Sequence, residues 1–317
     1  MSKPTILLLG GGPDAEREVS LTGHQAANDA LTSLGYSVNA VVIDHPTVAE
    51  IHDMKGTVIF PLLHGPFGEG GPLQDLLERD GRPYIGCRPQ AARSAMDKIA
   101  TKAIALAANV PTAAFAILNL KDSVCPMPFP VVAKPVHEGS SVGVHICRTH
   151  LEWLKALTAI RSDVKEHPTR VYMVEQFIKA RELTQGLIDP SPTSGSPGPR
   201  LALVEIKPAV EFYDYNAKYH SDDTKYQVNP ELPAGVADTI HGHAMTMARK
   251  IGVRHLSRID FLLVEQNQPW LLEVNTLPGF TGHSLLPMAA ADAGIDFAGL
   301  CERLVQWAVR DHTALNR

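Results

Sequence analysis

Cysteine is scarce and scattered in this 317-residue sequence: Cys87, Cys125, Cys147 and Cys301 lie far apart and form no C-x-x-C pair. That spacing argues against a disulfide framework and fits free thiols packed in a reducing compartment. Charge of one sign is also missing. With 29 basic and 34 acidic residues the net charge is −5, which argues against non-specific binding to nucleic acid or to an anionic membrane. Long hydrophobic runs are absent as well. The opening MSKPTILLLGGG holds an apolar run too short for a signal peptide, with no small-residue cleavage site. No stretch reaches the length of a membrane span. The expected location is the cytoplasm, and no internal repeat is visible. What is present is ordinary globular composition, 44% hydrophobic and 20% charged, in a chain long enough for two or three domains.

The stretch LSRIDFLLVEQNQPWLLEVNTLPGFTGHSLL, residues 256–286, organises the functional reading. RIDFLLV and WLLEVN have strand character, and the polar QNQP between them supplies turn residues, so a β-hairpin is expected. A turn centred between Asn267 and Gln268 sets Asp260 opposite Asn275, with Glu273 on the neighbouring rung. Carboxylates that close repel unless a cation sits between them. Three oxygen donors without His or Cys favour Mg²⁺ or Mn²⁺ over zinc. Such an ion usually also binds substrate phosphates, which points to an ATP site; a solvated hairpin face is the plain alternative. Leu277–Thr281 then forms a turn whose N–H groups can face an anion, with Gly279 permitting close approach.

From the N-terminus, Thr5–Leu9, a helix over Ala15–Leu34 and the strand Ser37–Ile43 predict a βαβ unit and a parallel sheet. Gly10, Gly12 and Ala15 fit a dinucleotide spacing, but no acidic residue ends the second strand, so that reading is weak. Glu16, beside this glycine turn, suits a substrate ammonium or simple complementarity to a helix N-terminus. The strand Thr57–Leu63 runs into HGPFGEGG, which makes His64 and Glu69 candidates by position. Pro83–Cys87 is read as a short strand and turn. Arg93–Ala108 is read as one Ala-rich helix, on which Lys98 and Lys102 make a solvated pair. Phe129–Pro135 is a strand ending in Lys134. The small-residue loop His137–Gly143 and the strand Val144–Cys147 follow, a loop able to fold over phosphates. A helix over His150–Ile160, a break over Val164–Thr169 and the strand Arg170–Val174 lead to the connector Glu175–Ile178. Asp189–Arg200 is a Pro-, Ser- and Gly-rich surface loop. Leu201–Ile206 is a strand. Glu211–Asn229 lacks helix or strand period, as an active-site lid would. Pro233–Ile251, Ala289–Ala293 and Phe297–Arg310 are helices.

Together GGGPDAEREVSLTG, HGPFGEGG, AMDK, FPVVAKPVHEGSSVGV, FYDYNAKYHSDDTKY, SRIDFLL and LLEVNTLPGFTGHSLLPM, nearly end to end, resemble the D-alanine–D-alanine ligases of the ATP-grasp superfamily. The resemblance implies an α/β fold with α+β elements. A parallel βαβ domain over residues 1–89 would precede two sheet-containing subdomains, 90–179 and 180–317, that sandwich ATP. It implies that Lys98 and Lys134 contact the ATP phosphates under a loop that includes Glu138, Gly139, Ser140 and Ser141. Glu175, Gln176 and Ile178 would meet the base or ribose, with Glu182 and Lys218 nearby. Asp260, Glu273 and Asn275 would hold two Mg²⁺ or Mn²⁺ ions. Arg258 and the Gly279 N–H would stabilise an oxyanion. Glu16 would bind the first D-alanine, with His64 beside the substrate, and Ser284 and Leu285 the second. Ser140, Glu182 and Tyr219 would fix the lid, and tyrosine at 219 favours D-alanine as acceptor. A D-serine or D-lactate acceptor, or an ATP-binding protein without catalysis, are the alternatives. A homodimer is compatible with the sequence, which does not decide oligomeric state. The chain departs from the usual pattern at Gly70, at Ser257 and in the length of the Asp189–Arg200 loop, none of them an implied ligand.

Overall fold

The computed structural model describes residues 3–139, 142–191, 196–207 and 224–315. Ser140, Ser141, Lys218 and Tyr219 lie outside them. Three sheets carry the described chain. In the first, β1 (Ile6–Gly11) lies between β2 (Val38–Ile43) and β3 (Val58–Pro61), all parallel. β1 is buried along its whole length, as expected where helices cover both faces of a parallel sheet. The covering helices are α1 (Arg17–Ser33), α2 (Val48–Asp53), α3 (Gly65–Glu69) and α4 (Pro72–Asp80). The parallel opening follows the expected βαβ order. Pro83–Cys87 contributes only a single bridge, Tyr84 to Ile59.

The expected helix over Arg93–Ala108 is in fact two, α5 (Pro89–Met96) and α6 (Lys98–Ala107). The break falls at Asp97, whose backbone is extended and whose Oδ1 accepts from the N–H groups of Ile99 and Ala100 at 2.9 Å. Helix propensity is even across this stretch, so the side-chain cap decides where the second helix starts. The break turns one face of α6 inward. Lys102, expected in solvent, is 1% exposed.

The second sheet has strand order β4 (Phe115–Ile117), β7 (Tyr172–Gln176), β5 (Val131–Pro135), β6 (His145–Cys147) and is antiparallel. α7 (His150–Glu166) packs on it through buried Trp153. This helix outruns its expected end at Ile160 into the segment read as a break. A Thr149–Glu152 capping box starts it and Val164 still packs on the core.

The third sheet runs β10 (Lys225–Val228), β9 (Leu203–Lys207), β8 (Arg181–Ile188), β11 (Leu256–Leu263), β12 (Pro269–Asn275). β10 falls in the stretch expected to lack periodic structure; among the described residues it is an edge strand paired with β9. α5, α6 and α8 (Val236–Ile251) share a core with this sheet. α9 (Leu285–Asp292) and α10 (Phe297–Leu315) join a core with β1, β3 and the sheet's other face. α1 comes so close to this region that a Cβ at Gly23 would meet the Phe280 carbonyl at 2.9 Å. Cys87, Cys147 and Cys301 are buried free thiols and Cys125 is half-buried.

Asp97→Ala removes the acceptor for two N–H groups at the start of α6. It should destabilise the protein by about 1 kcal/mol in urea denaturation. Asp97→Asn should recover most of the loss, and an unchanged midpoint for the alanine variant would mean that packing alone sets the break.

Candidate active site

The hairpin forms as expected, but its register differs. Arg258 pairs with Asn275 and Asp260 with Glu273, with a bulge next to Phe261 that leaves Leu272 unopposed. The turn sits earlier than expected, centred on Gln266, where Gln266 and Asn267 both adopt left-handed φ of 60°. The shift brings the two carboxylate residues directly opposite each other. Asp260 is buried and takes Arg258 Nε at 3.0 Å and Nη2 at 3.0 Å in a bidentate pair. Thr184 Oγ1 donates to it at 2.5 Å from β8, and Asn275 Nδ2 at 3.2 Å. It is therefore the amide nitrogen of Asn275, not the expected oxygen, that faces Asp260.

Among the described residues no three His, Cys, Asp or Glu side chains gather as a metal cluster. Two carboxylates on opposed residues plus an amide nonetheless suit a hard dication. The arginine neutralises Asp260 meanwhile, so the donor set fits the ion that the sequence implies.

Between the second and third sheets lies a cleft of about 350 Å³. Its lining includes Lys98, Lys134, Glu138, Gly139, Glu175, Gln176, Ile178, Glu182 and Glu273. Every described residue expected at the nucleotide is therefore in this one cleft. Asp260, Asn275 and Arg258 do not line it. Lys98 Nζ donates to the Glu138 carbonyl at 2.5 Å, which ties α6 to the small-residue loop. Glu138 itself accepts from Arg170 Nη2 at 2.6 Å.

At the inner wall Glu175 meets two lysines. Oε1 takes a very short contact from Lys134, and Oε2 pairs with Lys102 at 2.9 Å. Burial opposes ionisation of Glu175, but the flanking Lys134 and Lys102 outweigh it and hold its carboxyl below the ordinary range. Burial lowers the Lys102 ammonium, against the pull of Glu175.

A second cluster lies at the ends of β1 and β3. Glu16 and His64 occupy the N-caps of α1 and α3, both buried. Glu69 is buried with them, near N–H groups of Gly65 at 3.3 Å and Leu277 at 3.4 Å. His64 Nδ1 lies 2.9 Å from the Leu277 carbonyl, which can only accept, so Nδ1 carries the proton. Burial keeps the ring neutral and leaves Nε2 a buried acceptor with no hydrogen-bond partner among the described residues. Arg258 acts electrostatically on both His64 and Glu69, so this cluster adjoins the hairpin face. Gly139 reaches it too: a Cβ there would sit 3.2 Å from Glu16 Oε2. Gly279 faces Ser284 Oγ, at 3.4 Å from where its Cβ would be. Ser284 Oγ takes the Thr281 N–H at 3.1 Å, and Leu285 is buried in the core. The expected residues thus fall into a cationic cleft and an acidic cluster, joined at Gly139.

Residues 111–306 match the family described as D-ala D-ala ligase C-terminus. The chain is 37% identical over 311 residues to the D-alanine–D-alanine ligase of Bordetella petrii, covering 95% of this chain and 91% of that one. The chain belongs to the D-alanine–D-alanine ligase family. A ligase of that name from Anaeromyxobacter sp. is 37% identical, with 96% of each chain covered. The crystal structure of D-alanine–D-alanine ligase from Bacillus anthracis complexed with ATP superposes with a TM-score of 0.80 at 27% identity, over 98% of this chain and 99% of that one. The three-sheet α/β architecture is accordingly the ATP-grasp fold of this ligase family.

Lys102 is what the sequence reading missed. Its only signal was the i, i+4 spacing from Lys98 at the start of α6, which equally describes a solvated face.

Burial, then the neighbouring Glu16 charge, pushes the Glu69 carboxyl from an ordinary 4.5 up to about 8. The folded state therefore holds a proton that the unfolded chain releases in this window. The stability linked to it is present below the lower value and is lost as pH rises toward the upper one. Stability should fall across this range by on the order of 1–3 kcal/mol more in the wild type than in Glu69→Gln. Urea denaturation at several pH values reads the difference, and parallel curves would show that Glu69 stays ionised in the fold.

Proposed function

We propose that the chain joins two D-alanines with ATP, giving D-alanyl-D-alanine, ADP and phosphate, for peptidoglycan precursor synthesis. What carries the reading is the adjacency of a lysine-bearing cleft to an acidic cluster, in a chain of this family. ATP fits the first by size and charge, since pockets for such ligands run from roughly 300 Å³ upward. The two ammonium groups fit the second.

In the first step the carboxylate of one D-alanine attacks the γ-phosphate, and ADP leaves from the acylphosphate. Phosphoryl transfer asks mainly for positioning and charge neutralisation, assigned here to Lys98, Lys134 and the N–H groups of the loop around Gly139. Asp260, Glu273 and Asn275 would hold Mg²⁺ or Mn²⁺, which neutralises phosphate charge when bound. In the second step the amine of the other D-alanine attacks the acyl carbon, and phosphate departs. Glu16 orients the first ammonium, and His64 Nε2 is an acceptor within the same cluster. Arg258 and the Gly279 N–H are assigned to the oxyanion of the tetrahedral intermediate. Ser284 and Leu285 are assigned to the second D-alanine, and Ser140, Glu182, Lys218 and Tyr219 to lid closure. Ser141 belongs with the phosphate loop, and Glu175, Gln176 and Ile178 with the base. Domain limits at 89 and 179 go with this reading, as does a cytoplasmic location. No described helix is long and apolar enough to cross a membrane.

Incubation with ATP, Mg²⁺ and a panel of D-alanine, L-alanine, D-serine and D-lactate should release ADP strongly with D-alanine alone and yield equal amounts of ADP, phosphate and dipeptide. Replacing Mg²⁺ with Mn²⁺ should retain turnover, and chelation should abolish it. ATP binding with no amino-acid-dependent ADP release would leave a nucleotide-binding protein without ligase activity. A preference for D-lactate would make the product an ester.

A further inference from the structure

Lys102 has no part in the mechanism above, and its surroundings are costly to build. It is almost fully buried, and its ammonium donates to Thr112 Oγ1 at 2.8 Å and toward the Ala113 carbonyl at 3.4 Å. Its counter-charge among the described residues is Glu175 Oε2 at 2.9 Å. A lysine that merely filled space here would be better replaced by a methionine, because burying an ammonium is expensive unless its charge is used. Oε2 is itself sealed from solvent, so Lys102 and not water meets its charge.

Glu175 is also part of the cleft wall. Apolar side chains of Val132, Phe177, Ile206, Leu262 and Leu272 line the same cleft and make a slot suited to a flat ring. Ala113, whose carbonyl faces Lys102, lines it too. A base entering the slot would bring its polar edge toward the Glu175 end. An ionised carboxylate accepts and never donates. A 6-aminopurine offers N–H there, whereas a 6-oxopurine sets a carbonyl against a carboxylate.

We propose that Lys102 is a positioning residue for nucleotide choice: it fixes Glu175 as an ionised, acceptor-only group at the inner end of the cleft, and so selects 6-amino over 6-oxo purine triphosphates. The inference rests on the ATP-dependent reading given above. The charged groups that act on Glu175 are Lys134 from β5 and Lys102 from α6. Without Lys102, Lys134 alone opposes burial, and Lys134 is also assigned to the phosphates. A protonated Glu175 would then donate to a 6-oxo group and lose its selectivity.

The test is calorimetric titration of the whole protein with ATP and with inosine triphosphate, in Mg²⁺ and without D-alanine. The wild type should bind ATP at least about tenfold more tightly, the scale of one hydrogen bond to a charged group. That ratio should stay level from about pH 8 to about pH 6. In Lys102→Met it should fall below about threefold, and fall further as the pH is lowered and Glu175 takes up a proton. Lys102→Arg should restore it. An equal loss of affinity for both nucleotides, leaving the ratio at its wild-type value at every pH, would reduce Lys102 to a structural part and overturn the proposal. Should Lys102→Met not fold, Glu175→Gln carries the same test, because an amide both donates and accepts; an undiminished ratio there also overturns it. Wild-type protein that binds ATP and inosine triphosphate equally defeats this inference alone, while protein that binds neither defeats the ATP-dependent reading with it.

Discussion

One carboxylate, Glu175, holds two ammonium groups inside the protein, and the relation between the two ATP-grasp sheets depends on it. Lys134 reaches it from β5 of its own sheet, and Lys102 from α6, which packs with the other. Lys102 also donates to Thr112, whose hydroxyl donates to the Leu271 carbonyl of β12 at 2.8 Å. The Leu271 N–H returns to the Pro111 carbonyl at 2.7 Å. A short chain of polar contacts thus runs from the inner wall of the cleft to the strand that carries Glu273. Removing one partner from such a buried cluster typically costs about 3–5 kcal/mol, because the charge left behind cannot reach water. Two lysines against one glutamate also leave a net positive charge on the wall, which favours a polyanion.

The other half of the site has the opposite character. Glu16 and the neutral His64 gather acceptors where β1 and β3 end, with Glu69 buried beside them and Arg258 close enough to act on His64 and Glu69. Asp14 adds to this acidity: burial raises its carboxyl, with Glu138 and Glu16 contributing, even though Phe67 N–H donates to it at 2.8 Å. A polarity that runs from lysines to acids suits a reaction that brings phosphates together with ammonium groups. Arg258, paired with Asp260 on one side and acting on the acidic cluster on the other, lies between the two. Gly139 of the phosphate-side loop comes close to Glu16, and any side chain there would crowd the carboxylate.

Much of this was legible in the chain because it is local. Strand periodicity and turn residues fixed the hairpin, and the glycine-rich loops marked the ends of β3 and β5. Resemblance over seven motifs named the cleft residues, and each described one lines it. Three features were not legible. The hairpin register depended on left-handed Gln266 and Asn267 and on the bulge that leaves Leu272 unopposed, which alternation of side chains does not encode. The break at Asp97 depended on a cap within a stretch of uniformly good helix formers. Lys102 depended on both that break and a partner far along the chain at Glu175, so its burial belongs to tertiary structure alone.

The central claim is that nucleotide binds between the second and third sheets, with its base beside Glu175. Photolabelling with 8-azido-ATP, followed by mass spectrometric mapping of the cross-linked peptide, tests it most directly. Label within residues 175–182, suppressed by excess ATP, is the predicted result. ATP-suppressible label at the Gly10–Ala15 turn, with none on residues 175–182, would place the nucleotide on the parallel sheet and contradict it.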